Sequence, residues 1–207
     1  MANISVNDWL ESLAAKQPTP GGGAAAGLGL ATAAALVSMV SVYTTGEKWA
    51  DRTERMEAIN EQAMKLRGQA LELMDEDAQA FAAVGAAYRM PVDNDADKDT
   101  RNLAIQTALA GAAEPPRQIV TLSADVIDLC QELVTTANPN VISDVAVAAS
   151  FSKAAVEAAI VNVEINEKLL SDESEKVKLQ ESVKTAETLL TAADAVVKEV
   201  RQRMQAS

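Results

Sequence analysis

The sequence predicts an all-α protein, one domain over residues 1–207 folded as a bundle of about six to seven helices around a buried Ala/Gly-rich central helix. Three observations carry this prediction. Apolar residues make up 48% of the chain but aromatic ones only 3%, and Ala is the commonest, a composition suited to closely approaching helices. Apolar positions recur at spacings of three and four over long stretches, which is the helical period. From Ala24 to Thr45 no charge occurs, and this run is opened by Pro18-Thr19-Pro20-Gly21-Gly22-Gly23.

The first helix is expected from Ser5, whose hydroxyl can cap it while Asp8 completes a capping-box-like pair. Trp9, Leu10 and Leu13 give it an apolar face that ends before Pro18. Two prolines and three glycines cannot belong to a helix interior, so Pro18–Gly23 is a specialised entrance to the second helix. Its glycines permit a close backbone approach, and the first helical turn offers unpaired N–H groups to an anion. The same glycines can equally serve only a sharp turn, since neither the P-loop Lys-Ser/Thr nor a preceding strand is present. Gly23, Gly27 and Ala31, at intervals of four, form a small-residue face for a neighbouring helix. At ~1.5 Å per residue the run is long enough to cross a bilayer. Its Ala, Gly, Ser and Thr content favours instead a helix buried on all sides of a soluble bundle, with a glycine cap at Gly46.

A third helix is expected from about Lys48 to Tyr88, with Met56, Ile59, Ala63, Leu66, Ala70 and Leu73 on one stripe. The same rhythm then reaches Asp77, Phe81 and Val84. A carboxylate on a core stripe is costly unless it has a partner or a chemical task. Pro91 ends this helix, and an acidic loop follows from Val92 to Asp99. Asp93, Asp95 and Asp97 imitate a calcium loop, but Lys98 and Ala104 stand where its Gly and Glu belong.

A fourth helix is expected over about Thr100–Ala113 and a fifth from Pro115-Pro116, with Ile119, Leu122, Val126, Leu129 and Leu133 inward. After the turn Asn138-Pro139-Asn140, Ser143 is expected to cap a sixth helix to about Leu170. Asp144 and Asn162 share one face of it, about 27 Å apart along the axis. The last helix, Asp172 to about Met204, carries Leu179, Val183, Ala186, Leu190, Ala193, Val197, Val200 and Met204 at heptad spacing.

Composition also narrows function. Net charge is −12, which argues against nucleic acid or an anionic membrane as partner, and any anionic substrate needs a local basic pocket. One cysteine, Cys130, allows no disulfide within the chain. Histidine is absent, which excludes Ser-His-Asp triads and histidine general bases. Met1–Asn7 has no basic, apolar leader, so a cytoplasmic location is expected.

Several blocks together resemble a known family. Pro18–Gly23, Ala34-Ala35-Leu36-Val37-Ser38-Met39-Val40, Asp75-Glu76-Asp77-Ala78-Gln79-Ala80-Phe81, Arg89-Met90-Pro91, Ser143-Asp144 and Asn162-Val163 with Asn166 look like the cyclodeaminase/cyclohydrolase family, which includes the C-terminal half of formiminotransferase-cyclodeaminase. The resemblance implies an all-α homodimeric enzyme acting on a tetrahydrofolate derivative, with no metal or nucleotide cofactor. The implied reaction is deamination of 5-formimidoyl-tetrahydrofolate to 5,10-methenyl-tetrahydrofolate, or, as its sibling, hydrolysis of the methenyl form to 10-formyl-tetrahydrofolate. A non-catalytic scaffold that kept the fold is the reading from a different class.

Without histidine, proton transfer in such a reaction falls to carboxylates with environments tuned by burial. Asp77 is the first candidate as acid or base, ahead of Asp75, which falls off the stripe. Asp144, at a helix start that favours negative charge, suits the donor-rich pterin edge or a cationic amidine. Asn162 suits a hydrogen bond to the pterin or the one-carbon group. Thr19 and the amides of Gly21, Gly22 and Gly23, with Lys16 or Arg89, are candidates for the glutamate tail.

Overall fold

A computed structural model describes residues 4–206, so Met1 to Asn3, the start of the segment read above for a leader, lie outside it. Six α-helices account for the architecture: α1 (Val6–Ala14), α2 (Gly22–Val42), α3 (Thr53–Tyr88), α4 (Asp95–Thr136), α5 (Ile142–Leu169) and α6 (Glu173–Ala206). Two 3-10 turns, Glu47–Trp49 and Pro139–Val141, precede α3 and α5, and no strand occurs among the described residues.

Ser5 caps α1 as expected: its Oγ accepts from the Asp8 N–H at 3.1 Å and donates to the Asp8 carboxylate at 2.7 Å. The end of α2 differs from expectation. It stops at Val42, and Gly46 instead heads the first 3-10 turn at φ +96°, a left-handed conformation that favours glycine. The carboxyl end of α2 is held by the Asn138 turn, whose N–H donates to Thr44 Oγ1 and whose Nδ2 donates to the Tyr43 carbonyl, both at 3.0 Å.

Helix α2 lies against α3, α4 and α5. Ala24, Leu30, Ala33, Ala34, Val37 and Val40 are fully buried. Burial on all sides is not reached within one chain, because Ala25, Leu28, Thr32, Leu36 and Met39 form a half-open stripe continued by exposed Val42 and Tyr43. Small residues set the approach to α3. A Cβ on Gly27 would stand 3.0 Å from the Ala70 carbonyl oxygen and 3.2 Å from Met74 Cα. On α3, Met56, Ile59, Ala63, Leu66, Ala70 and Leu73 all point into the core as their spacing predicts.

The largest departure is α4. Two helices separated at Glu114 are expected, yet one helix of 42 residues runs straight through Pro115 and Pro116. Each proline removes an N–H that would have bonded the carbonyl four residues back. Gly111, which loses its partner to Pro115, is exposed and open to water. Ala112, which loses its partner to Pro116, is buried, but its carbonyl accepts from Asn166 Nδ2 of α5 at 3.4 Å. Both orphaned acceptors are thus served without a break.

The acidic segment before Thr100 is helical too. Asn94 caps α4 by accepting from the Asp97 N–H at 2.9 Å, and Asp95 and Asp97 sit in the first turn, where the dipole favours them. Val141, not Ser143, occupies the cap position of α5, because the 3-10 turn starts the helix two residues earlier. In α6 the seam is Leu179, Ala186, Leu189, Ala193, Val196 and Val200. Leu189 and Val196 thus sit deeper than the expected Leu190 and Val197, and Met204 is exposed.

Candidate active site

The Pro18–Gly23 loop delivers the chain to the amino end of α2, where Gly21 takes the cap position with no side chain to serve the first-turn N–H groups. The Thr19–Pro20 peptide bond is cis. Here α3 crosses close enough that a Cβ on Gly23 would collide with the Asp77 carboxylate, and Gly22 lies against the Asn162 carboxamide, 3.6 Å from the site of a Cβ. Of the three loop glycines, Gly23 is therefore required for approach, since only there would a Cβ overlap a neighbour; it lets a carboxylate of α3 reach the helix end that a carboxamide of α5 also meets.

A cavity of about 260 Å³ opens at this junction. Its polar lining is Thr19, the three glycines, Asp77, Asn162 and Asn166; Phe81, Leu109, Ile165 and Leu169 supply apolar walls. Burial pushes the Asp77 carboxyl above the ordinary carboxylate value, and a hydrogen bond from the Ala24 N–H, in the first turn of α2, partly opposes that. Among the described residues no lysine or arginine forms an ion pair with Asp77. The cavity thus holds one half-buried carboxyl, biased toward keeping its proton and facing carboxamides.

Both asparagines are anchored through their amino ends. Asn162 Nδ2 donates to the Ala158 carbonyl at 2.8 Å, and Asn166 Nδ2 donates to the Asn162 carbonyl at 2.8 Å as well as to Ala112. Neither Oδ1 accepts from a described residue, so the cavity is lined with free acceptors.

Of the residues singled out in the sequence, Thr19, Gly21, Gly22, Gly23, Asp77 and Asn162 come together here. Lys16 is exposed and does not line the cavity. Arg89 is exposed at the end of α3, on a ladder of Asp77, Phe81, Gly85 and Arg89 at intervals of four. Its guanidinium folds back over Gly85, with Nη1 3.3 Å from the site of a Cβ there, and so leans along α3 toward the cavity. Asp144 stands outside, in the first turn of α5, about 27 Å along the helix from Asn162. Asp75 faces a different, apolar cleft lined by Trp9, Leu28 and Leu71.

Two lining residues were placed differently or named without a role by sequence reasoning. Phe81 is 51% exposed at the cavity rim instead of in the core, while Val84, the next position of the same stripe, is buried against α4. Asn166 shares a face with Asn162 at i,i+4, a spacing that was available in the sequence.

Comparison with known proteins shows the family of the chain. The chain is 36% identical over 195 residues to a methenyltetrahydrofolate cyclohydrolase of Methylorubrum extorquens, covering 94% of this chain and 92% of that one. It is 30% identical to the formimidoyltransferase-cyclodeaminase of Rattus norvegicus over 88% of its own length but spans only 34% of that longer protein. Among solved structures, the formiminotetrahydrofolate cyclodeaminase of Thermotoga maritima superposes with a TM-score of 0.86 at 28% identity, covering 98% of both chains. With the family model matching residues 5–185, well over half its length, the chain belongs to the formiminotransferase-cyclodeaminase family.

Proposed function

We propose that this chain is a folate one-carbon enzyme in which Asp77 carries a proton between the attacking group and the departing nitrogen at the carbon bridging N5 and N10. The observation that carries the reading is the half-buried Asp77 carboxyl, raised by desolvation and set between the amino end of α2 and two carboxamide acceptors. In the cyclodeaminase reaction N10 bonds to the amidine carbon of 5-formimidoyl-tetrahydrofolate, whose amidine enters protonated, as the amidinium. Asp77 takes the N10 proton and returns it to the amino group, which leaves as ammonia when its C–N bond breaks. The product is the 5,10-methenyl cation.

The same group serves the cyclohydrolase reaction, which is the second reading. Water adds to the methenyl carbon, Asp77 accepts one of its protons and delivers it to N5 as the C–N5 bond breaks, and the other is released as the formyl carbonyl forms. The full-length resemblance to a cyclohydrolase favours this reading, and the full-length structural likeness to a cyclodeaminase favours the first.

In either reaction we assign the exposed face of Phe81 to a planar ring, and Thr19 and the Gly21–Gly23 amides, with Arg89 outside the cavity lining, to the anionic tail. Asp144 is assigned no part in this cavity. A homodimer acting in the cytoplasm belongs to the same proposal. The half-open apolar stripe of α2 supports the dimer, and sedimentation of the purified protein tests it.

The deciding experiment mixes the protein separately with 5-formimidoyl- and 5,10-methenyl-tetrahydrofolate while following the near-ultraviolet methenyl band. Its growth in the first with release of ammonia is cyclodeaminase activity; its enzyme-dependent loss in the second is cyclohydrolase activity. No change in either refutes the catalytic reading.

A further inference from the structure

The two prolines inside α4 have a consequence for the cavity. Pro116 has no N–H to offer the Ala112 carbonyl, and a proline ring crowds the carbonyl four residues back. Ala112 lines the cavity, and the donor that reaches its carbonyl is Asn166 Nδ2, 3.4 Å away on α5. The Asn166 amino group is therefore held by two acceptors on two helices, the Asn162 carbonyl being the other, at 2.8 Å. A carboxamide fixed at its nitrogen has its oxygen direction fixed as well. No described residue donates to that oxygen, and it is not among the buried polar atoms that lack a partner, so it is open to solvent on a residue that lines the cavity.

We propose that Pro116 is a positioning residue, which frees the Ala112 carbonyl to clamp Asn166 so that Asn166 Oδ1 accepts from an N–H-bearing edge of the substrate. The inference rests on the folate reading for the identity of that edge, the donor face of the reduced pterin. A ligand edge carrying acceptors meets only repulsion from Asn162 Oδ1 and Asn166 Oδ1, one helical turn apart. The pair therefore selects for donors.

The test is a double-mutant cycle with Pro116→Ala and Asn166→Ala. Pro116→Ala restores the N–H, lets the helical bond to Ala112 form, and removes the proline penalty, so the variant is expected to melt no lower than wild type. Its KM for whichever folate substrate the wild type turns over is expected to rise about three- to tenfold, the range for one neutral hydrogen bond, with kcat changed less. In the Asn166→Ala background the same substitution should leave KM unchanged, because the residue through which it acts is gone. A second readout needs no substrate: the side-chain amide resonances of Asn166 should shift in Pro116→Ala while those of Asn162 stay in place. Equal KM in wild type and Pro116→Ala, or additive effects in the cycle, overturns the inference and leaves the folate reading intact. Failure of the wild type to bind or turn over either folate overturns that reading and with it the ligand edge assigned to Asn166, whatever the amide resonances show.

Discussion

Alanine placed in turn at Gly21, Gly22 and Gly23 separates the two roles open to the glycine loop. All three variants keep the backbone N–H groups, so an anion held by amides alone would be unaffected. The structure orders them by contact. Gly21 has nothing within 4 Å of a new Cβ, and Gly22 meets Asn162 Nδ2 at 3.6 Å, an ordinary van der Waals distance. At Gly23 the added carbon overlaps the Asp77 carboxylate, whose Oδ2 alone would be 2.7 Å away, so the carboxylate must swing off the amino end of α2. Stability tells little, because alanine gains about 0.5–1 kcal/mol inside a helix and the overpacking costs about 1–3 kcal/mol. The expected net is a loss of at most about 2.5 kcal/mol, or up to about 5–10 °C in Tm for a domain of this size. Activity tells more. A catalytic group displaced by about 1 Å costs on the order of 100-fold in rate. Steady-state rates by the methenyl band are therefore expected near wild type for Gly21→Ala, within a few-fold for Gly22→Ala, and reduced about 100-fold for Gly23→Ala. A Gly23→Ala enzyme of wild-type activity would refute both the contact and the placement of Asp77 at the reacting carbon.

Further expectations come from the same geometry. Asp77→Asn is expected to abolish turnover while circular dichroism shows an unchanged helical fold; retained activity removes Asp77 from its role. Because the Asp77 carboxyl is raised above its ordinary value by burial, its charged form costs stability at neutral pH, and the protonated fold is favoured on acidification. Chemical denaturation should therefore find Asp77→Asn more stable than wild type at pH 7, with the difference shrinking toward the ordinary carboxylate range near pH 4. A constant difference across that window contradicts the desolvation argument. Ser152 has a fully buried Oγ without a partner, so Ser152→Ala should raise stability by about 1 kcal/mol, read as a Tm gain of about 2–4 °C. Burial pushes the Cys130 thiol up to about 12, so alkylation should be negligible in the fold and rapid in denaturant.

Much of the bundle was legible because helical periodicity is a local signal. The α3 stripe from Met56 to Leu73 and the Ser5 cap depend on residues within one or two turns of each other. Where the outcome hangs on another helix the signal fails. Pro115-Pro116 reads locally as a helix start, and no pattern inside α4 reveals that Asn166, 50 residues further on from Pro116, serves the freed Ala112 carbonyl. Phe81 continues an apolar rhythm, yet it opens onto the cavity while Val84, the next position of the stripe, is buried against α4.

Asp77 shows how the site itself was half legible. Its position on the core stripe marked it as a carboxylate with an obligation, but periodicity does not name the partner. The structure supplies one, and it is not a cation: the Ala24 N–H at a helix start whose glycines leave room for the carboxylate. An arginine there would have held Asp77 ionised and made it a structural ion pair. A single amide opposes the burial only in part, so the carboxyl keeps a raised proton affinity and can both take a proton from a nucleophile and return it. Glycine at position 23 and the absence of a basic partner among the described residues are thus two parts of one arrangement. Introducing a lysine or arginine within reach of Asp77 should silence the enzyme by lowering that affinity, even with every other contact kept.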